Sequence, residues 1–356
     1  MQQCIELAKK ALGETYPNPM VGAVIVYKNQ IIGKGWHKKA GLAHAEINAI
    51  NSVADKSLLS NSTLYVNLEP CSHFGKTPPC VESIEKYKIP RVIIGSIDPN
   101  PKVAGRGIKA LELSGCEVSH GILKKESDFL NRRFFTFHKK KRPYIILKWA
   151  QTSDYYIAPI QSKNEKGHIF WITNNKSLKR VHQWRGQETA ILVGVQTIID
   201  DNPKLTTRHC EGLDPLRLIL DPQNRIPKKS VVYNDNNPTL FFNKSIEIEN
   251  NHKRFIRLDP FNLNTLMKYC FNENIQSIIV EGGKKTIQNF IDVNLWDESR
   301  VFTANKKLNR GILAPKLNSE VHSSENFDGD KLNYINNHLD VITKKGDATS
   351  KTKKME

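Results

Sequence analysis

The chain has 356 residues, enough for two domains of ordinary size, and its 39% hydrophobic content predicts a buried core. No apolar run approaches the ~20 residues of a membrane span, no secretory leader is recognisable, and six scattered cysteines do not make a disulfide scaffold. We therefore expect a cytoplasmic location and no membrane partner. The net charge of +17 is spread along the chain, which argues against a nucleic-acid partner and favours attraction of a phosphorylated small molecule.

The first part of the sequence alternates between helices and short strands. In chain order we predict a helix at 1–16, strands at 21–26 and 30–36, a helix at 44–54, a strand at 63–68, a helix at 80–87, a strand at 91–97, a helix at 107–113, a strand at 116–118 and a helix at 122–137. This alternation predicts an α/β fold in which helices cover a sheet.

A metal-binding pattern lies within these elements: His44, two residues before Glu46, and the cysteines Cys71 and Cys80. Zinc takes nitrogen and sulfur ligands tetrahedrally, and a catalytic site leaves the fourth position to water, whose pKa zinc lowers toward neutrality. His44, Cys71 and Cys80 can supply three ligands. Glu46 is then left to carry protons, as the non-ligand Glu does in deaminases. The alternative is two buried structural cysteines and a surface histidine.

The spacing of this pattern limits how the elements can be arranged. Residues two apart on a helix point to nearly opposite sides, so His44 and Glu46 can reach one metal only if the helix meets it end-on. Cys80 likewise opens a predicted helix, directly after Pro79. We therefore expect two helix N-termini aimed at one zinc ion, where the positive end of each helix dipole favours a thiolate.

A second alternating series begins at residue 144. It predicts a strand at 144–149, a helix at 174–184 capped by Thr173 or Asn174, strands at 190–193, 216–220, 239–242 and 255–258, a helix at 263–271, a strand at 277–280, a helix at 285–290 and a strand at 300–303. The strand–Gly-Gly–helix unit at 277–290 is either a phosphate cradle or an ordinary tight turn. The sequence has no Gly-x-Gly-x-x-Gly fingerprint, so a standard Rossmann site is not predicted.

Several segments together resemble one known family. They are Pro17-Asn18-Pro19-Met20-Val21-Gly22, Ala43-His44-Ala45-Glu46, residues 68–80 (LEPCSHFGKTPPC), residues 98–107 (DPNPKVAGRG), Trp171-Ile172-Thr173, Gly194-Val195-Gln196-Thr197, residues 200–206 and Val280-Glu281-Gly282-Gly283. Over about residues 2–341 the chain resembles the bifunctional riboflavin-biosynthesis proteins, in which a pyrimidine deaminase is fused to a pyrimidine reductase. The resemblance implies a deaminase domain at 1–141, a reductase domain at 142–341 and a basic tail at 342–356.

For the first half, the resemblance implies a cytidine-deaminase-like mixed sheet with helices. The implied reaction is zinc-dependent hydrolytic deamination of 2,5-diamino-6-(5-phosphoribosylamino)pyrimidin-4-one. Nucleic-acid and nucleoside deaminases typically carry the two cysteines as PCxxC, whereas eight residues separate Cys71 from Cys80 here. This longer segment suits a substrate with a phosphorylated sugar. The substrate contacts expected from the resemblance are Asn18, His37, His73 and Lys76.

For the second half, the resemblance implies a dihydrofolate-reductase-like α/β fold in which NADPH reduces the ribosyl group to ribityl phosphate. The implied cofactor contacts are Gln151, Trp171, Thr197, Asp201, Gly283, Lys284, Lys285 and Thr286. The implied substrate contacts are Arg185, Leu205, Arg208 and Glu281, with Lys148 as a catalytic group near the reacting sugar carbon. We also expect a homo-oligomer.

Two alternative functions remain open on the sequence alone. Tyr155 stands where the family often has a glycine, which predicts a different backbone path for its loop, and Ile169 stands where a hydroxyl residue usually meets the substrate phosphate. These departures leave open a deaminase with a degenerate, non-catalytic second domain. The other alternative, a nucleic-acid or nucleoside deaminase, would need the PCxxC spacing and an aromatic-rich basic face.

Overall fold

The computed structural model describes residues 1–74, 78–101, 103–160, 170–250 and 252–337. In the N-terminal part the elements are α1 (Gln2–Lys9), β1 (Gly22–Tyr27), β2 (Gln30–Trp36), α2 (Ala45–Ser52), a 3-10 helix (Lys56–Asn61), β3 (Thr63–Leu68), α3 (Cys80–Lys86), β4 (Arg91–Ser96), α4 (Arg106–Leu113), β5 (Glu117–His120), α5 (Lys124–Leu130) and α6 (Arg132–Lys140).

The C-terminal part continues the alternation of helices and strands. Its elements are β6 (Tyr144–Thr152), β7 (Tyr156–Ala158), α7 (Asn175–Gln187), β8 (Ala190–Gly194), α8 (Val195–Asp201), β9 (Leu216–Leu220), α9 (Val231–Asn234), β10 (Thr239–Asn243), β11 (Ile248–Asn250), β12 (Lys253–Arg257), α10 (Leu263–Asn272), β13 (Ser277–Gly282), α11 (Lys284–Asp292), β14 (Glu298–Ala304), β15 (Ile312–Leu313), β16 (Ser323–Phe327) and β17 (Asp330–Asn336). None of the helices in the described ranges has both the length and the apolar character to cross a bilayer.

Within the described N-terminal part, five strands form one sheet in the order β2-β1-β3-β4-β5. β1 pairs antiparallel with β2 and β3, whereas β3, β4 and β5 run parallel. Ile25 of β1 and Leu64 of β3 pack with Ala49 and Ile50 of α2 in one buried core. Because β3 and β4 are parallel, their carboxyl ends meet at the same edge of the sheet, where the loops that follow them come into contact.

The described C-terminal strands form a ten-stranded sheet in the order β11-β12-β10-β9-β8-β13-β6-β14-β17-β16, which is parallel from β12 to β14. Side chains alternate across a strand, so Ile145 and Leu147 of β6 enter one apolar cluster while Tyr144 and Ile146 enter the other. Both faces of the sheet are therefore covered, as a parallel sheet requires. Its central strands β8 and β13 end at the same edge.

Two predicted helices differ in the structure. The first ends at Lys9, not residue 16, because tight turns follow it, including one in which the Ala11 N–H bonds the Ala8 carbonyl at 3.1 Å. The helix predicted at 122–137 is divided at Asn131 into α5 and α6. The Asn131 side chain bonds the N–H of Met20 at 2.8 Å and its carbonyl at 2.9 Å. Asn131, at the break between α5 and α6, therefore holds these helices against the loop before β1.

Buried ion pairs join the two parts of the chain. The Arg133 Nε on α6 donates to Glu188 Oε2 at 2.7 Å, and the two side chains are 5% and 0% exposed. Burial by itself raises the pKa of Glu188, but the interactions with neighbouring groups, the Arg133 charge foremost, together outweigh burial and lower that pKa. Nearer the surface, Lys140 of the N-terminal part pairs with Asp297 of the C-terminal part. Separating the two parts would leave buried charges unpaired, so these contacts hold the parts in a defined arrangement.

Candidate active sites

The three predicted zinc ligands come together in the structure. The ligand atoms of His44, Cys71 and Cys80 all lie within 4.8 Å of one another. His44 Nδ1 is 3.2 Å from Cys80 Sγ and 3.4 Å from Cys71 Sγ. Zinc–nitrogen and zinc–sulfur bonds of about 2.0 and 2.3 Å in a tetrahedron separate such atoms by about 3.5 Å, so this donor set fits zinc.

Two helices meet the cluster end-on, as the spacing predicts. His44 is the N-cap of α2, and its extended backbone (φ −71°, ψ 166°) turns the side chain away from the helix that follows. Cys80 is the first residue of α3, directly after Pro79, and its N–H donates to Cys71 Sγ at 3.3 Å. The positive ends of both helices therefore face the thiols, which stabilises their ionised form.

Glu46 lies beside the cluster but is not one of its three ligands. It sits in the first turn of α2, is 3% exposed and contacts the Cys80 thiol. Burial, together with the nearby Cys71 charge, raises the pKa of Glu46 to about 7. A hydrogen bond from Cys80 lowers the pKa of Cys71 to about 4. A buried carboxyl group with a pKa near neutrality can both accept and donate a proton.

Asn18 and His37 lie next to the cluster. The His37 ring centroid is 5.2 Å from that of His44, and His37 Nδ1 is 3.2 Å from the Ala43 carbonyl. A carbonyl can only accept, so Nδ1 carries the proton and Nε2 accepts from Asn18 Nδ2 at 3.0 Å. Burial lowers the pKa of His37, which keeps the ring neutral. Of the other expected contacts, His73 is exposed, and Lys76 lies outside the described residues.

Glu69, two residues before Cys71, is a buried residue that sequence reasoning misses as part of the site. Its carboxylate accepts backbone N–H bonds from Asp98 (3.2 Å), Gly105 (3.0 Å), Gly107 (2.9 Å) and Ile108 (3.3 Å). A Cβ at Gly107 would lie 2.0 Å from the Pro70 carbonyl, so only glycine permits this approach. Glu69 therefore fastens the 98–108 loop against the segment that carries Cys71. The only sequence signal is an acidic residue directly before Pro70-Cys71.

A second polar cluster joins three elements of the C-terminal part. Arg185 of α7 donates from Nε and Nη2 to the two oxygens of Glu281 on β13, both at 2.8 Å. Lys148 Nζ of β6 lies 3.3 Å from Glu281 Oε2. Burial by itself raises the pKa of Glu281, but the charges and hydrogen bonds of Arg185 and Lys148 together outweigh burial and lower that pKa to about 2. Burial also lowers the pKa of Lys148. The resemblance proposes all three residues separately, and the structure places them in one network.

Glycines at two strand ends form a cradle suited to phosphate. Gly194 is the N-cap of α8, and Gly283 is the N-cap of α11. A Cβ at Gly194 would lie 2.7 Å from Thr286 Oγ1, whereas one at Gly283 would meet only Thr197 Oγ1, at 3.5 Å. The glycine at 194 lets α11 approach closely, whereas a side chain at 283 would make only an ordinary contact with Thr197. Amide groups at these starts and the two lysines that open α11 fit the phosphates of a dinucleotide.

The remaining predicted reductase residues differ in accessibility. Gln151 is buried, and its side-chain oxygen accepts from Trp149 Nε1 at 2.8 Å. Trp171 is 53% exposed, and Asp201 is the exposed last residue of α8. Leu205 is buried, whereas Arg208 is exposed and its N–H donates to His182 Nδ1 at 3.0 Å.

The loop at Tyr155 has an unusual backbone conformation. Tyr155 has φ 65°, the left-handed conformation that a glycine would favour, and its N–H bonds the Thr152 carbonyl at 3.0 Å. Tyr155 thus adopts a conformation that glycine enters more easily, and a different backbone path from the relatives stays a prediction. The conformation costs a non-glycine residue about 1–2 kcal/mol, and the exposed ring meets no crowding that would prevent it. Ile169, the other departure, lies outside the described residues.

Comparison with known proteins assigns the chain to a family. The model of the RibD C-terminal domain matches residues 143–308, and the model of the cytidine and deoxycytidylate deaminase zinc-binding region matches residues 1–96. The riboflavin biosynthesis protein RibD of Aquifex aeolicus is 39% identical over 319 residues, which cover 88% of each chain. The chain belongs to the RibD family.

Solved structures agree with this assignment over nearly the whole chain. A diaminohydroxyphosphoribosylaminopyrimidine deaminase/5-amino-6-(5-phosphoribosylamino)uracil reductase from Thermotoga maritima is 36% identical, with a TM-score of 0.84, covering 95% of this chain and 97% of its own. Acinetobacter baumannii RibD is 30% identical, with a TM-score of 0.84, covering 94% and 97%.

Family membership decides between the functions left open above. The chain is a bifunctional riboflavin-biosynthesis enzyme, and the predicted α/β folds of its two parts are confirmed. Zinc and NADPH are confirmed as its cofactors by the two family matches and by the clustered zinc ligands. The match over residues 143–308 leaves the alternative of a degenerate second domain without support.

Proposed function

We propose that this chain deaminates 2,5-diamino-6-(5-phosphoribosylamino)pyrimidin-4-one and then reduces the ribosyl group of the product to ribityl phosphate. The observation that carries the first step is the cluster of His44, Cys71 and Cys80 with the buried carboxyl group of Glu46 beside it. The name of the Thermotoga maritima relative, which pairs the same two activities, supports this choice of substrates.

In the deamination, His44, Cys71 and Cys80 hold zinc, which supplies the Lewis acidity that activates water when it is bound. Glu46 takes up a proton at its carboxylate and delivers it to the departing amino group. Its buried position in the first turn of α2, two residues after His44, places the carboxyl group beside the reacting atoms for both transfers. Asn18, held by its bond to neutral His37, orients the pyrimidine. The reaction is balanced, because it consumes one water molecule and releases one molecule of ammonia.

In the reduction, NADPH supplies the hydride when it is bound. We infer that the amide groups at the starts of α8 and α11, with Thr197, Lys284 and Lys285 around the glycine cradle, would hold its phosphates. Lys148 gives a proton to the sugar oxygen as the reacting carbon is reduced, and the lowered pKa of its ammonium group favours that transfer. Arg185 and Glu281 fix the position of Lys148 and border the substrate.

The role of Glu46 is tested by Glu46→Gln in the zinc-loaded enzyme. We expect ammonia release from the diaminopyrimidine to fall by at least about 100-fold, since proton transfer by a positioned side chain contributes that much. Zinc content and NADPH oxidation with supplied deaminated substrate should stay at the wild-type level. Glu82→Gln, an exposed glutamate in the first turn of α3, is the matched control. Normal ammonia release by Glu46→Gln would refute the role.

Three further features of the enzyme are proposals. We propose domain limits of 1–141 and 142–341, supported by the separate sheets on either side of that division; the tail at 342–356 lies outside the described residues. A cytoplasmic location is supported by the six cysteines, none of which forms a disulfide in the described residues. A homo-oligomer is supported by the exposed apolar side chains Ile312 and Leu313 on β15, and light scattering would measure its size.

A further inference from the structure

A loop of the deaminase site is held from the other side of the domain interface. Gln276, directly before β13 in the reductase domain, donates from Nε2 to the Pro17 carbonyl at 2.7 Å. Gln276 is 2% exposed, and its own carbonyl accepts the N–H of Tyr144 at 2.9 Å. The donor therefore sits on a backbone that is itself fixed by the sheet.

Both domains bond this loop, at different residues. Asn67 and Asn131 bond the backbone of Met20, so the C-terminal end is fixed within the deaminase domain. The preceding residues are bonded by the reductase domain, through Gln276 to Pro17 and through the Gln187 carbonyl, which accepts the Tyr16 hydroxyl at 3.3 Å. Asn18 and Pro19 lie between Pro17, which the reductase domain bonds, and Met20, which the deaminase domain bonds.

The contact continues from Asn18 to the metal cluster. Asn18 Nδ2 donates to His37, whose other ring nitrogen donates to the carbonyl of Ala43, the residue before His44. The bond from Asn18 to His37 forms only while the backbone at Pro17 holds Asn18 in place, and the bond from Asn18 in turn helps to hold the His37 ring. A shift of Pro17 would therefore move Asn18 and loosen the His37 ring beside His44.

We propose that Gln276 is a positioning residue for deamination: the reductase domain sets the position of Asn18 and so completes the substrate site of the other domain. The inference rests on the proposed function of that site. Gln276 acts through Pro17 and makes no contact with the zinc ligands in the described part of the chain. Its bond to Pro17 can be removed alone, because its Oε1 has no hydrogen-bond partner among the described residues.

The test is Gln276→Met in the full-length, zinc-loaded enzyme, which keeps the length of the side chain and removes the donor. Loss of one net hydrogen bond of about 1 kcal/mol corresponds to roughly fivefold. We expect the KM for the diaminopyrimidine to rise by about that factor, with kcat changed less. Zinc content and the NADPH-oxidation constants with deaminated substrate should be unchanged. If Gln276→Met folds poorly, Tyr16→Phe is the second variant, because it removes the hydrogen bond from the Tyr16 hydroxyl to the Gln187 carbonyl. It should raise the same KM.

Two comparisons separate positioning from general loosening of the interface. Lys140→Met removes an exposed contact to Asp297 across the same interface, away from the loop, and should leave the deamination KM unchanged. In a double-mutant cycle with Asn18→Ala, the effects should be non-additive, because Gln276 acts through Asn18. An unchanged KM, equal losses of both activities or an additive cycle would overturn the proposal. A wild-type enzyme that released no ammonia would instead overturn the proposed function.

Discussion

Glu69→Gln is the sharpest test of how the 98–108 loop is fastened to the zinc site. The carboxylate has one oxygen, Oε1, that accepts from Gly107 and Ile108 and another, Oε2, that accepts from Asp98 and Gly105. Glutamine preserves the shape but replaces one oxygen with an NH2 group. Two backbone N–H groups then face a donor instead of an acceptor.

The size of the effect follows from those two lost bonds. A buried donor without an acceptor costs about 1–3 kcal/mol, so two cost about 3 kcal/mol at a moderate value. At about 1.4 kcal/mol for each factor of ten, that loss raises the equilibrium constant for opening of the loop by roughly 150-fold. The effect should be local, because the five-stranded sheet and its core do not depend on the carboxylate.

Amide hydrogen exchange measures this opening directly. We expect the N–H groups of Gly105, Gly107 and Ile108 to exchange about 100-fold faster in Glu69→Gln, and ammonia release to fall, while amides of the reductase sheet keep wild-type protection. Glu112→Gln on the exposed face of α4 makes the same chemical change without a buried carboxylate and should exchange normally. Unchanged protection of the Gly105 and Gly107 amides in Glu69→Gln would refute the reasoning.

Three other outcomes are expected. Removing zinc with a chelator should abolish ammonia release but not NADPH oxidation, and added Zn²⁺ should restore it; parallel loss of both activities would contradict separate sites. Lys148→Met should lower NADPH oxidation by about 100-fold and leave ammonia release unchanged. Burial by itself raises the pKa of Asp235, but the hydrogen bonds and charges of Arg217 and Lys253 together outweigh burial and lower that pKa to about 2. The stabilisation is therefore present above the unfolded pKa of about 3.9 and lost as pH falls toward 2. Asp235→Asn should lower the free energy of unfolding by about 1 kcal/mol at pH 7, after solvent screening, and leave it nearly unchanged near pH 2, as denaturant unfolding at the two pH values would measure.

The zinc site is predictable from sequence because metal ligation restricts both residue type and spacing. His44, Cys71 and Cys80 occur in a pattern that has few structural explanations, and the two-residue step to Glu46 already requires an end-on helix. The roles proposed for Lys148 and the other reductase residues come from the family resemblance and remain proposals.

The supporting bonds are not predictable in the same way. Glu69 and Gln276 bond backbone groups, which every residue carries, so nothing in the sequence of their partners marks the contact. Likewise, Arg185 and Glu281 are 96 residues apart in the sequence, and the packing of α7 against the sheet makes them a pair. The missed elements, such as β15 and α9, are too short for a hydrophobic period to appear.

One strand links the two sites without acting as a switch. β13 begins directly after Gln276 and carries Glu281 five residues further on, a distance of about 17 Å in an extended chain. It lies between β8 and β6, and Ile278, Ile279 and Val280 are completely buried on its two faces. A slip of one residue would turn Ile279 into the opposite apolar cluster, so the strand cannot shift register at small cost. The reductase sheet therefore serves the deaminase site as a fixed support, and its contribution to the first reaction lies in geometry that exists before any cofactor binds.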